Sequence, residues 1–227
     1  MKTSSRGYLT LGLILAGGFT GLGQSIALDS PEPSATFTIH VYNHTEVDPK
    51  TLMEAEKVAT RIFRRAGVES RWVEGALTSE HKQEDSPSRR PFGPTDIQLD
   101  ILPLLMAGRF RLPSNVMGLA PGTGPDRRLV YVFYSSVEAL ARRQSRAHVS
   151  TALVLGHAMA HEIGHLLLNQ QSHSSTGIMR GDWNPKDLQD AVFGYLLFTP
   201  QQAEVIRTEV GRRISQQKAL EPAALEC

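Results

Sequence analysis

Four of the eight histidines in the chain, His157, His161, His165 and His173, fall within 17 consecutive residues. Four residues advance a helix by roughly 400°, so His161 and His165 project from one face about 6 Å apart along the axis. That separation lets two imidazoles grip one small cation. Glu162 stands beside it. A helical His-Glu-x-x-His is a zinc-binding arrangement in which the histidines hold the metal and the glutamate serves as general base for a Zn-bound water. The surrounding segment from Val149 is otherwise nearly all apolar. Burying a carboxylate with two imidazoles in such a helix is costly unless a cation compensates their polarity.

A catalytic zinc takes three protein ligands and keeps an open position. His173 is the candidate third ligand. It follows His165 by eight residues, after Asn169-Gln170-Gln171-Ser172. Asn169 tolerates the left-handed backbone with which such a stretch leaves a helix and turns back. A distant carboxylate, Glu204 or Glu209, is the alternative third ligand. His157 lies one turn before His161, but three equally spaced histidines on a straight helix diverge too far to share one ion. It reads as a packed or supporting residue behind the ligands.

The elements that must position these groups follow from periodicity. Thr36 to Tyr42 alternates and is rich in β-branched and aromatic residues, predicting a first strand. Asp48-Pro49 opens a helix whose apolar positions repeat from Leu52 to Ala66 and which Gly67 stops. Val68 to Val73, a segment with Ile97, Leu99 and Ile101 alternating, and Leu129 to Tyr134 predict further strands. Met117 to Pro121 reads as a short extended segment, and the polar, proline-punctuated stretch 78–95 as an exposed loop. Helices are expected over Ser136 to Arg143, Val149 to Leu168, Pro185 to about Leu197, and Pro200 to Ile214. Strands and helices mixed first and helices last predict an α+β domain with its chemistry in the second half.

Composition excludes several classes. With 227 residues, 41% hydrophobic and 21% charged, the chain is neither disordered nor fibrous. A formal charge of +1 without a dense basic block excludes a nucleic-acid footprint. The single cysteine, Cys227, supports neither an intramolecular disulfide nor a cysteine metal site. Lys2 and Arg6 precede an uncharged apolar run, and small residues stand before Leu28. Residues 1–27 are therefore expected to be a secretory signal peptide cut after Ala27, with a signal anchor as the alternative. The remaining 28–227 carry 22 basic against 23 acidic residues. The exported protein is expected to be secreted or periplasmic, without stable membrane insertion.

His161 to Met179 resembles the metzincin clan of zinc endopeptidases, in which His-Glu-x-x-His is followed by a turn, a third histidine and a methionine in a tight turn beneath the metal. The resemblance implies a single zincin-like domain over 28–227, with a twisted mixed sheet, an active-site helix and a helical C-terminal part. It implies His161, His165 and His173 as ligands of one Zn²⁺, Glu162 as base, and Met179 of Thr176-Gly177-Ile178-Met179 as the Met-turn methionine. Gly118, Leu119 and Ala120 take the place of the family's substrate-aligning edge strand. Two positions depart from the family pattern. Leu168 stands where the family has glycine, and His173 arrives two residues late. The expected function is a secreted zinc endopeptidase acting on peptide or protein substrates. A zinc peptidase with a glutamate third ligand and a non-catalytic, zinc-stabilised envelope binding module are the alternatives.

Overall fold

The computed structural model describes residues 35–75, 92–113, 115–122, 124, 127–144, 149–170 and 172–220. The expected signal peptide, most of the 78–95 loop and Cys227 lie outside the described residues. Strand β1 (Thr36–Asn43) leads into helix α1 (Pro49–Arg65). Asp48 caps that helix by accepting a hydrogen bond from the Thr51 amide, and Pro49 occupies its first turn. Strands β2 (Glu69–Glu74) and β3 (Asp96–Leu102) follow, then a short helix α2 (Leu104–Ala107) and a 3₁₀ turn (Gly108–Phe110). Strands β4 (Gly118–Leu119) and β5 (Leu129–Phe133) precede α3 (Tyr134–Arg143), α4 (Thr151–Leu167), α5 (Pro185–Val192) and α6 (Pro200–Leu220).

The five strands form one mixed sheet in the order β2-β1-β3-β5-β4. β2, β1, β3 and β5 are parallel, and β4 runs antiparallel to β5 at one end. The expected mixture of strands and helices is present, but the first half is a β-α-β arrangement in a mostly parallel sheet. Parallel neighbours require crossover connections, and α1 supplies the one between β1 and β2. Ile39, Ile97, Leu99, Ile101, Val130 and Val132 are fully buried in the sheet, and they share one core with Phe63 and Ala59 of α1 and Leu155, Met159 and Ile163 of α4.

α3 begins two residues before the expected Ser136 and α4 two residues after the expected Val149, and two helix ends differ from the sequence expectation by five residues or more. α5 stops at Val192, five residues early, because Gly194 adopts a left-handed backbone (φ 77°) and turns the chain. Tyr195 is then exposed while Leu196 and Phe198 turn into the core. α6 runs six residues past Ile214. Its buried Arg213 is held there by Glu209 (2.7 Å) and donates to the Arg127 carbonyl (3.3 Å).

α1 and α4 approach closely at Gly156. A Cβ built there lies 2.5 Å from the Ala55 carbonyl oxygen and 2.6 Å from the Val58 Cβ, neither of which can swing aside. Alanine has the better helix propensity by about 1 kcal/mol, but overpacking a contact of this kind costs about 1–3 kcal/mol or more. Gly156→Ala is expected to lower the urea midpoint with the slope unchanged, and an unaltered midpoint would show that the helices can separate freely.

Candidate metal and catalytic site

α4 carries the site through the middle of the core. Ser150 caps it by accepting from the Leu153 amide, and every residue from Val154 to Leu167 is buried. His161 and His165 meet on one face, with ring centroids 4.8 Å apart and Nε2 atoms 3.1 Å apart. Their other nitrogens are committed to backbone carbonyls: His161 Nδ1 donates to Ile178 O (2.7 Å) and His165 Nδ1 to Gln170 O (2.8 Å). These bonds set the tautomer, leaving each Nε2 as a lone pair.

The chain leaves α4 as the asparagine predicts. Leu168 is the C-cap, and Asn169 is left-handed (φ 50°). The Asn169 amide bonds Leu166 O, and the Gln170 amide bonds His165 O, the paired closure of a Schellman motif. The extra residues between His165 and His173 are thereby taken up in a tight reversal. His173 returns with its ring centroid 5.3 Å from that of His161 and 5.0 Å from that of His165. Gly181 makes room for it, since a Cβ there lies 2.9 Å from the His173 ring. One potential ligand atom from each of the three histidines falls within 4.8 Å of the others, and among the described residues this is the one such metal-competent group.

The donor set fits a divalent cation. Two Nε2 lone pairs facing each other at 3.1 Å repel unless something positive lies between them. A proton is a poor candidate at neutral pH: burial first, then the neighbouring His165, push His161 down to about 3. Burial also lowers His165. Three imidazoles from a buried helix and a returning loop match a zinc site with a free fourth position.

Glu162 follows His161 and is buried. With burial as the sole cause, its carboxyl is pushed up to about 8. Its neighbour is Gly118 of β4, where a Cβ would fall 2.4 Å from Glu162 Cγ and 2.6 Å from Oε1. Glycine at 118 therefore lets the edge strand touch the carboxylate. β4 ends at Leu119, and Ala120 lies beyond it, its carbonyl accepting from Arg127 (3.5 Å). Gly118, Leu119 and Ala120 line a cleft of about 450 Å³ together with His161, Glu162, His165 and His173.

Met179 lies beneath the helix. The turn from Gly177 (φ 71°) to Arg180 closes through the Arg180 amide on Gly177 O. The buried Met179 Sδ sits where a Cβ at Gly164 would be 2.7 Å away. His157 stays outside the cluster: its Nδ1 bonds Leu153 O (2.8 Å), and its ring meets Trp183 edge-on at 6.1 Å. Trp183 in turn donates to Ile178 O, the acceptor of His161. Glu204 and Glu209 are not brought to the histidines. Glu204 pairs with Arg207, and Glu209 with Arg212 and Arg213.

Three contributors were not foreseen. Arg127 is buried and donates to His165 O (2.9 Å) and Gly122 O (2.9 Å), tying the end of α4 to the segment after β4. Trp183 braces the His161 acceptor. Arg180 lines the cleft beside the cluster. Only the position of Arg180 directly after Met179 was visible as a signal.

No family model matches the chain, and no curated protein does. Among solved structures it is similar to a zinc-dependent peptidase from Methanocorpusculum labreanum (strain Z), at a TM-score of 0.45 and 12% identity, covering 74% of this chain and 99% of that one.

Proposed function

We propose that the chain is a zinc-dependent endopeptidase of metzincin-like architecture that hydrolyses peptide bonds with Glu162 as general base. The observation that carries this reading is the convergence of His161, His165 and His173 within 4.8 Å, next to a buried carboxylate in contact with an edge strand. Bound zinc would supply polarisation of the scissile carbonyl and acidification of a water.

The chain's own residues supply the rest. The carbonyls of Ile178 and Gln170 orient the two helical imidazoles. Glu162, whose carboxyl burial raises and which a bound cation would hold as the carboxylate, takes the proton of the attacking water and passes it to the leaving nitrogen. β4 is the last strand of the sheet and has one edge without a strand partner among the described residues. Gly118 and Leu119 there offer backbone groups to an extended peptide, which the cleft orients across Glu162. Met179 supports the helix from below, in the Met-turn role.

Residues 1–27 act in this reading as a cleaved signal, delivering 28–227 outside the cytoplasm as the peptidase domain. Among the described residues, no helix is long and apolar enough to cross a membrane.

The test is hydrolysis of casein and of a mixed peptide library by the purified protein. Cleavage is expected to disappear on chelation and return with one equivalent of zinc. A protein that holds one zinc, unfolds on its removal and cleaves neither substrate is the non-catalytic binding module instead.

A further inference from the structure

We propose that Arg180 receives the negative charge that develops on the scissile carbonyl oxygen, an inference that rests on the peptidase reading above. Addition of water to a carbonyl needs a base for the proton and a donor for the oxygen that becomes anionic. Glu162 is the base and stands on the β4 side of the histidine cluster, against Gly118. Among the described residues the cleft is lined by two arginines, Arg143 and Arg180. Arg143 lies at the end of α3, one and two turns beyond Leu140 and Ser136, which line the same wall. Arg180 belongs to the wall that carries His173.

Residue 180 is fixed on every side. Its amide bonds Gly177 O, and its backbone bridges to Ser174, the residue after His173. Before it, Met179 is pinned under Gly164, and after it Gly181 lies against the His173 ring. Its guanidinium is oriented by Asp187, with Nη1 3.5 Å from Oδ2. That carboxylate is itself buried and fixed, because the same oxygen accepts from the Asn184 amide (2.8 Å) in the capping box of α5. The Arg180 side chain remains 39% exposed. A guanidinium has five N–H donors, so an ion pair with Asp187 through Nη1 leaves others for the cleft. Base and cation thus line the same cleft as the three histidines, Glu162 against β4 and Arg180 on the turn that follows His173.

In the step this implies, the water oxygen bonds to the carbonyl carbon, and its proton goes to Glu162. The π pair moves to the carbonyl oxygen, which Arg180 N–H groups stabilise. Collapse returns that pair, breaks the C–N bond, and the nitrogen takes the proton from Glu162.

The test compares wild type, Arg180→Gln and Arg180→Lys, each loaded with zinc. Glutamine keeps a polar N–H at the position but removes the cation. The first measurement is calorimetric titration with inorganic phosphate, a tetrahedral oxyanion. The second is kcat and KM on a library peptide. Arg180→Gln is expected to bind phosphate at least about tenfold more weakly and to lose about a hundredfold or more in kcat. KM, zinc content and Tm should stay near wild type, with Arg180→Lys intermediate in both phosphate affinity and kcat. Phosphate affinity unchanged by glutamine, or no phosphate binding to the wild type, overturns the proposal. Loss of zinc or of folding in Arg180→Gln with Arg180→Lys at wild-type kcat also overturns it, making the residue a structural tie. If the wild type cleaves no peptide but phosphate binding still depends on Arg180, the anion site stands and the peptidase reading falls.

Discussion

Glu162→Gln is expected to reduce kcat on any cleaved peptide by about 10²–10⁴-fold, the range of general base catalysis, while zinc content is unchanged. Glutamine keeps the size and burial of the side chain beside Gly118 but cannot take a proton. The same substitution has an opposite effect on the stability of the metal-free protein. Burial raises the Glu162 carboxyl from 4.5 to about 8 in the folded chain. Between those values the native state holds a proton that the unfolded chain has released, so this group lowers stability as pH rises through the window. Metal-free Glu162→Gln is expected to be more stable than wild type at pH 8, by on the order of a few kcal/mol, and equal to it near pH 4. Buried His157 and His161, lowered to about 4 and about 3, act with the other sign. The unfolded chain binds their protons first, so stability is lost as pH falls below about 6.5. Denaturant titrations of both proteins at pH 4, 6 and 8 check the pattern. A mutant that retains full kcat would remove Glu162 from the chemistry.

Replacing any one of His161, His165 and His173 by alanine is expected to weaken zinc binding severely. A bound structural zinc is worth about 10–16 kcal/mol in small peptides. One ligand of four therefore carries about 3–4 kcal/mol, some 10²–10³-fold in affinity. His157→Gln should leave affinity within a few-fold, because His157 reaches the site only through Trp183. Competition with a chromophoric chelator measures all four variants. If His173→Ala binds as tightly as wild type while Glu204→Ala or Glu209→Ala does not, the third ligand comes from α6. The arginine pairs of those two glutamates speak against that outcome.

Much of the site is local in sequence, and that part was legible. His161, Glu162 and His165 lie within five residues of one helix whose end is written in Asn169, while its start falls at Thr151 behind the Ser150 cap, two residues after the expected Val149. The late arrival of His173 had a physical solution in the left-handed asparagine, and the chain takes it. α1 was equally readable because Asp48 and Pro49 form a start signal and Arg65 precedes a glycine turn. What was not legible depends on contacts between distant segments. The apolar run through Tyr195-Leu196-Leu197-Phe198 reads as a continuation of α5, yet Leu196 and Phe198 are buried after a glycine turn. The polar end of α6 hides its register because its anchor, Arg213, bonds Arg127 from 86 residues away. Arg127 donates to carbonyls before and after it in the chain, at Ala120, Gly122 and His165, which no spacing rule connects. The contact of Gly118 with Glu162 likewise joins a strand to a helix 44 residues later.

X-ray diffraction of the zinc-loaded protein across the zinc absorption edge tests the central claim most directly. One anomalous peak is expected, bonded to nitrogens of His161, His165 and His173 at about 2.0–2.1 Å, with Glu162 close by and not coordinating. A peak elsewhere, or one that omits His161 or His165 or takes Glu162 as a ligand, would contradict it.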